Sequence, residues 1–137
     1  LLEQQAPPET RVTIQGGAFR LDQLQKQYFR RSAGARVAYV TDTAWSEQSQ
    51  PGLKELAQGA QWLYCDSFYA SAQRKQADKY RHMTATDAAT LAREAGAERL
   101  TLIHFSRRYS GRYEKLIEEA RRIFPAAQAD LSCEPRS

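Results

Sequence analysis

Ionisable side chains follow three apolar runs of the chain, at the points where predicted strands end. Asp42 comes after RVAYV, Asp66 after QWLYC and His104 after RLTLI. His82, the other histidine of the chain, precedes a segment that we expect to be a helix. Because ligands of open α/β sheets bind beyond the carboxyl ends of the strands, we expect these groups to share one sheet edge. Imidazole and carboxylate together suit zinc or manganese.

Each of these residues also has a purely structural interpretation. An aspartate after a strand, such as Asp42 or Asp66, is commonly a turn or cap residue. A histidine at a helix start, such as His82, is more often an exposed loop residue, and His104 follows a strand apolar enough to leave it half-buried. Two or three ligands do not complete a metal site, since catalytic zinc normally takes three protein ligands plus water. The joint placement at strand ends is what favours a site.

The elements that would position these residues alternate between strand and helix patterns. Thr84 followed by Asp87 is typical of a helix N-terminal cap. This order predicts an α/β layer in which helices cover a largely parallel sheet. Strand patterns cover 11–15, 36–41, 61–65, 99–103 and 127–131, and helix patterns cover 21–31, 51–57, 69–80, 85–95 and 113–123.

Composition excludes several classes of protein. The 137 residues suit one domain, residues 1–137, and with 42% hydrophobic and 26% charged residues the chain is neither disordered nor collagen-like. No apolar run approaches the roughly 20 residues needed to cross a bilayer, and no signal-peptide pattern opens the chain, so we expect no membrane partner. The net charge of +4 is compatible with a phosphate-bearing partner without establishing one.

The two cysteines, Cys65 and Cys133, are too few for a disulfide scaffold. They favour a reducing compartment, and we predict a cytoplasmic protein. Cys65 fits a small buried hydrophobic residue, with metal ligation as the alternative. The opening sequence LLEQQAPP is typical of a linker, so we expect a piece of a longer protein.

Four motifs within residues 36–130 resemble the C-terminal half of a ribonuclease Z, a tRNA 3′-processing endonuclease of the metallo-β-lactamase fold. HFSRRY, at 104–109, is similar to the His-Phe-Ser-x-Arg-Tyr segment of that family and is the most specific of the four. VTDT, at 40–43, is similar to its Gly-Asp-Thr segment. HMT at 82–84 falls where the family has His-Ser-Thr, and CDSF at 65–68 falls where it has His-Glu-Ala-Thr.

The resemblance implies an α/β fold that is the C-terminal half of an αββα sandwich. It implies two zinc ions in the complete site, with manganese as the alternative metal: Asp42 would bridge the ions and His104 would bind one of them. His82 would assist catalysis by donating a proton, and Asp66 would support its ring. Contact with the substrate phosphate at the mouth of the site would involve Ser106, Arg108 and Tyr109.

The chain departs from the family pattern in two respects. Asp66 replaces a glutamate, so the acid is one methylene shorter. The main metal motif of the family, His-x-His-x-Asp-His, belongs to its N-terminal half and does not occur in these 137 residues, which contain two histidines. We therefore expect the chain by itself to be inactive.

The resulting function prediction is metal-dependent phosphodiester hydrolysis on tRNA precursors, with RNA and the absent N-terminal half as partners. One alternative is another metallo-β-lactamase-fold hydrolase that acts on a small phosphodiester or ester. A second is a non-catalytic half whose exposed sheet face pairs with a separate chain or with a second copy in a homodimer. A third is a plain α/β domain without metal.

Overall fold

The computed structural model describes residues 6–29 and 33–131, and the chain divides into two compact units between Gly34 and Ala35. The first unit contains an antiparallel hairpin of strands β1 (Arg11–Ile14) and β2 (Gly17–Arg20), followed by helix α1 (Leu21–Tyr28). Strand β2 was not predicted, because the strand pattern over 11–15 is followed by two glycines, which are typical of the end of a strand. Gln15 and Gly16 have positive φ angles of 47° and 81°, which a two-residue hairpin turn requires, so the chain folds back there.

The second unit contains a parallel sheet of four strands in the order β3-β4-β5-β6. The register pairs Val40 with Cys65 and Cys65 with Leu102, so the strands end at nearly the same level. The predicted parallel sheet is confirmed, and its carboxyl edge carries the candidate residues. The strands are β3 (Val37–Val40), β4 (Trp62–Asp66), β5 (Leu100–Ile103) and β6 (Gln128–Ala129).

Four helices connect these strands: α2 (Gln50–Ala57), α3 (Arg74–Tyr80), α4 (Ala85–Glu94) and α5 (Glu114–Arg121). The helix predicted over 69–80 begins later than expected. Tyr69 forms a parallel bridge with Thr84, and a 3₁₀ turn over Ser71–Gln73 precedes α3. The backbone of Tyr69 exchanges hydrogen bonds with the segment before α4, accepting from Ala85 N–H at 3.0 Å, and is therefore not free to start a helix. A second 3₁₀ turn covers Arg107–Tyr109.

The core of the second unit lies on one face of the sheet. Alternate strand residues such as Leu63 and Leu102 are fully buried there, and the small alanines of α4 allow that helix to lie close to the strands. On the opposite face the side chains of Val37, Tyr39 and Trp62 are 57%, 62% and 37% exposed. Within the described part of this unit, helices therefore cover one face of the sheet and leave an apolar face open.

No helix among residues 6–29 and 33–131 is long and apolar enough to cross a membrane. All of the candidate site residues lie in the second unit. The prediction that residues 1–137 form one domain stays a prediction, and Cys133 lies outside the described residues.

Candidate metal centre

Four candidate residues meet at the carboxyl edge of the sheet. Asp42 follows β3, Asp66 ends β4, His104 follows β5, and His82 lies just before α4. His82 Nδ1 lies 2.9 Å from Asp66 Oδ2 and 3.8 Å from Asp42 Oδ1. His104 Nδ1 lies 3.7 Å from Asp42 Oδ1 and 3.6 Å from Asp66 Oδ1. Parallel strands of matched register thus bring together residues that are up to 62 positions apart in the chain.

Asp66 is the fully buried member of this cluster. Its Oδ1 accepts a hydrogen bond from the Phe68 N–H at 3.0 Å, and its Oδ2 contacts His82 Nδ1 at 2.9 Å. Burial raises the pKa of the Asp66 carboxyl, while the hydrogen bond to His82 and the nearby charges of His82 and His104 oppose that rise. The contact shows that the shorter aspartate reaches the histidine. A carboxylate at Nδ1 selects the Nδ1–H form of the ring, which leaves Nε2 available for chemistry.

Asp42 and His104 share an unusual backbone conformation. Their φ angles are 52° and 58°, in the left-handed region that residues other than glycine seldom adopt. Such a conformation is unfavourable, by about 1–2 kcal/mol for most L-residues and less for aspartate, and is concentrated at functional sites. His104 directly follows β5 and Asp42 lies two residues after the end of β3, so the backbone changes direction in the same way just beyond both strands. The same conformation after β3 and β5, the strands on either side of β4, supports a functional interpretation of this edge.

Three of the four residues can hold a metal ion. Asp42, His82 and His104 each offer one ligand atom, and these atoms lie within 4.8 Å of one another. One carboxylate and two imidazoles are a donor set that zinc and manganese accept. Catalytic zinc normally has three protein ligands, so the three residues together fit a divalent metal ion, whereas Asp42 and His104 without His82 supply two of the ligands.

Cys65 has no place in this cluster. Its side chain is fully buried in the core, and its Sγ lies 3.5 Å from Met83 Sδ. Burial raises the pKa of the Cys65 thiol well above its usual value, with the charges of Asp66 and Asp87 as smaller causes. The structure therefore favours Cys65 as a packed apolar residue over Cys65 as a metal ligand.

Ser106 and Tyr109, predicted to contact substrate, hold the loops of the site to one another. The N–H of Ser106 donates to the Phe68 carbonyl at 3.2 Å, and Ser106 is buried. The Tyr109 hydroxyl accepts a hydrogen bond from the Ala70 N–H at 3.1 Å. These bonds tie the segment after β5 to the segment after β4. The roles of both residues toward substrate stay predictions.

Arg108, the third predicted substrate contact, is engaged with protein groups. Its Nη1 donates to Gln73 Oε1 at 2.6 Å, and its guanidinium lies 5.3 Å from the ring centre of Tyr69. Its neighbour Arg107 lines an open groove of about 1130 Å³, together with Asp42 and His104 and the aromatic side chains of the uncovered sheet face. Arg107 was not predicted as a site residue, since adjacent arginines in a turn give no sign of which one faces a groove.

The start of α4, beside His82, is stabilised by a network of hydrogen bonds, part of which was predicted. Thr84 and Asp87 form a complete capping box, in which Asp87 Oδ2 accepts from the Thr84 N–H at 2.9 Å. Arg74 adds two hydrogen bonds to the same carboxylate, one of them from Nη1 to Oδ2 at 2.7 Å. Arg74 was missed because no local pattern links it to a residue 13 positions away.

Comparison with known proteins shows what the chain is similar to. The chain is 38% identical over 106 residues to ribonuclease Z of Deinococcus radiodurans, a match that covers 77% of this chain and 32% of that protein. It is 45% identical over 95 residues to ribonuclease Z of Salinibacter ruber, covering 69% of this chain and 28% of that protein. No family model matches the chain.

A solved structure shows which fold the sheet and helices of this chain resemble. The metallo-β-lactamase fold protein YhfI from Bacillus subtilis superposes with a TM-score of 0.57 at 25% identity, covering 68% of this chain and 35% of that one. The chain spans about a third of the length of the ribonucleases Z that it matches. It is a homologue of that part of ribonuclease Z, and its parallel sheet with flanking helices is part of a metallo-β-lactamase fold.

Proposed function

We propose that this ribonuclease Z homologue supplies one part of the active site of a metal-dependent phosphodiester hydrolase that processes the 3′ end of tRNA precursors. The observation that carries the proposal is the 2.9 Å contact between His82 and the buried Asp66, beside Asp42 and His104 at the same sheet edge. A histidine supported by a carboxylate, beside a second carboxylate that can bind a metal, is an arrangement suited to hydrolysis of a phosphodiester.

Asp42 and His104 are proposed to hold the divalent metal, with zinc as the first choice and manganese as the alternative. When bound, the metal supplies the Lewis acidity that activates water and neutralises charge on the phosphate. The complete site would hold two ions, with Asp42 as a ligand to both. The remaining ligands would come from the N-terminal half of the protein, so we propose that the chain by itself is inactive.

His82 is proposed to donate a proton to the leaving oxygen of the RNA. Asp66 holds Nδ1, so the proton leaves from Nε2. The side chain of His82 is 16% exposed and that of Asp66 is buried, which shields their hydrogen bond from water and keeps the ring in one orientation. General acid catalysis of this kind contributes about 10²–10⁴-fold to a rate.

The substrate side of the proposal rests on charge and position. The chain has a net charge of +4, and neutralising phosphates releases counterions from RNA. Arg107 faces the groove beside the metal ligands, and we add it to Ser106, Arg108 and Tyr109 as a candidate phosphate contact. We propose that the N-terminal half covers the exposed sheet face, that the protein functions without a membrane, and that it is cytoplasmic.

A second candidate is hydrolysis of a small phosphodiester or ester. The engagement of Arg108 with Gln73 favours it, since a guanidinium held by a protein amide has fewer donors for an extended RNA backbone. The four residues at the sheet edge would have the same roles in both candidates.

Activity can be tested in a chimera in which this chain replaces the matched segment of the Deinococcus radiodurans protein. Cleavage of a 3′-extended tRNA transcript would be compared with hydrolysis of bis(p-nitrophenyl) phosphate. We expect the chimera to cut the transcript, and the Asp42→Ala chimera to lose both metal and activity. Hydrolysis of the small ester without cleavage of RNA would support the second candidate. A folded chimera that is inactive on both substrates would contradict both proposals.

A further inference from the structure

The ring of Phe68 contacts both histidines of the site. Its centre lies 4.2 Å from that of His82 with an angle of 11° between the planes, a stacked arrangement. Its centre lies 5.0 Å from that of His104 at 65°, an edge-to-face arrangement. The two imidazoles themselves are 5.2 Å apart at 62°. One aromatic side chain thus contacts His82 on its face and His104 at an edge.

The backbone of Phe68 also forms hydrogen bonds to two residues in or beside the site. Its N–H donates to Asp66 Oδ1 at 3.0 Å, and its carbonyl accepts from the Ser106 N–H at 3.2 Å. The first bond orients the carboxylate that contacts His82, and the second fixes the loop that begins with His104. Phe68 therefore contacts His82 and His104 through its ring and Asp66 through its backbone.

A single hydrogen bond does not define the plane of an imidazole. With Nδ1 held by Asp66, the His82 ring can still tilt about the hydrogen bond, and Nε2 moves with it. A flat aromatic surface at 4.2 Å removes that freedom, because tilting would break the stack or bring the rings into collision. The edge contact limits His104 in the same way.

We propose that Phe68 is a positioning residue that fixes the ring planes of His82 and His104. It carries no group that transfers a proton or binds a metal, so it acts through the two histidines. The consequence for catalysis rests on the proposed function, whereas the placement of the rings does not.

Nuclear magnetic resonance of the histidine rings in the whole chain tests the placement directly, because the chain has two histidines and gives two sets of ring signals. Protons over the face of a phenyl ring are displaced upfield. We expect the His82 signals of the unsubstituted chain to be displaced upfield from those of free histidine, and Phe68→Leu to abolish that displacement. Phe68→Tyr keeps the ring and should preserve it.

Phe105→Leu is the matched control. Phe105 is a partly buried phenylalanine next to His104, and its ring pairs with Tyr113 at 5.0 Å. The control should leave the His82 signals in place. If the unsubstituted chain shows no upfield displacement of His82, the proposal is wrong, and this result stands even if Phe68→Leu fails to fold. Equal loss of the upfield displacement of the His82 signals in Phe68→Leu and Phe105→Leu would also contradict the proposal.

The catalytic consequence is measured in the Deinococcus chimera. Phe68→Leu should lower kcat by about 10- to 100-fold with KM little changed, because misplacing a reacting group by about 1 Å has an effect of that order. Phe68→Tyr should restore the rate. A chimera that shows the ring displacement but never cleaves RNA contradicts the proposed function and leaves the positioning role intact. A cleaving chimera in which Phe68→Leu changes neither kcat nor the His82 signals contradicts the positioning role alone.

Discussion

The ion pair between Arg74 and Asp87 should stabilise the chain more than an ordinary surface pair does. The Asp87 side chain is 4% exposed and that of Arg74 is 41% exposed. Arg74 donates two hydrogen bonds to the carboxylate, which also accepts from the N–H and hydroxyl of Thr84. Removal of the guanidinium leaves a buried carboxylate with neutral donors only. We therefore expect the start of α4 to weaken, and with it the segment that carries His82.

The magnitude follows from the exposure of the two partners. Breaking a fully buried pair costs about 3–5 kcal/mol, and an exposed pair contributes about 0.2–1 kcal/mol. Because Arg74 is partly exposed to water, the coupling free energy of this pair should be smaller than that of a fully buried pair. Hydrogen bonds to charged groups contribute about 1.5–3 kcal/mol, and we expect a coupling free energy of about 2 kcal/mol between the two side chains.

A double-mutant cycle measured by urea denaturation provides the assay. The variants are Arg74→Met, Asp87→Asn and the double substitution. The matched control is the pair of Lys54 and Glu94, 2.6 Å apart with side chains 40% and 37% exposed, for which we expect less than about 1 kcal/mol. A coupling in the Arg74 cycle no larger than that of the control would refute the reasoning from burial.

Three further outcomes are expected of the chain by itself. Calorimetric titration at neutral pH should show weak zinc binding, because Asp42 and His104 leave most of the coordination sphere to water; tight stoichiometric binding would mean that His82 or a residue outside the described part is a ligand. Cys65 should be alkylated by iodoacetamide only on unfolding, since burial excludes the reagent and a raised thiol pKa lowers the thiolate fraction at neutral pH; labelling of the folded chain at the rate of a free thiol would contradict this. The chain should self-associate through the exposed face around Tyr39 and Trp62, and sedimentation should show less of it for Tyr39→Lys; a monodisperse monomer would show that this face needs no cover.

The sheet and the location of the site could be predicted from sequence because they depend on local patterns. Short apolar runs bounded by polar residues marked β3, β4 and β5, and right-handed crossovers made the sheet parallel. Once those strands are parallel neighbours, Asp42, Asp66 and His104 must meet at one edge. The capping box at Thr84 is likewise a local pattern over four residues, and the structure confirms it.

The features that sequence did not predict depend on contacts distant in the chain or on backbone conformation. The stacking of Phe68 on His82 joins residues 14 positions apart, and no periodicity marks it. Residue type gives only a weak signal for the left-handed backbone of Asp42 and His104, since aspartate and histidine adopt it more often than most residues other than glycine but still seldom. The hairpin turn at Gln15-Gly16 was missed because a glycine pair ends a strand as readily as it reverses one.

The most direct test of the central claim is single-turnover cleavage of a 3′-extended tRNA by the Deinococcus chimera carrying His82→Ala, with metal content measured on the same preparation. Because His82 is proposed as a proton donor supported by Asp66, the rate should fall by about 10²–10⁴-fold while the metal content stays at the level of the unsubstituted chimera. Loss of metal together with activity would contradict this assignment and identify His82 as a third ligand beside Asp42 and His104, and an unchanged rate would remove it from the mechanism.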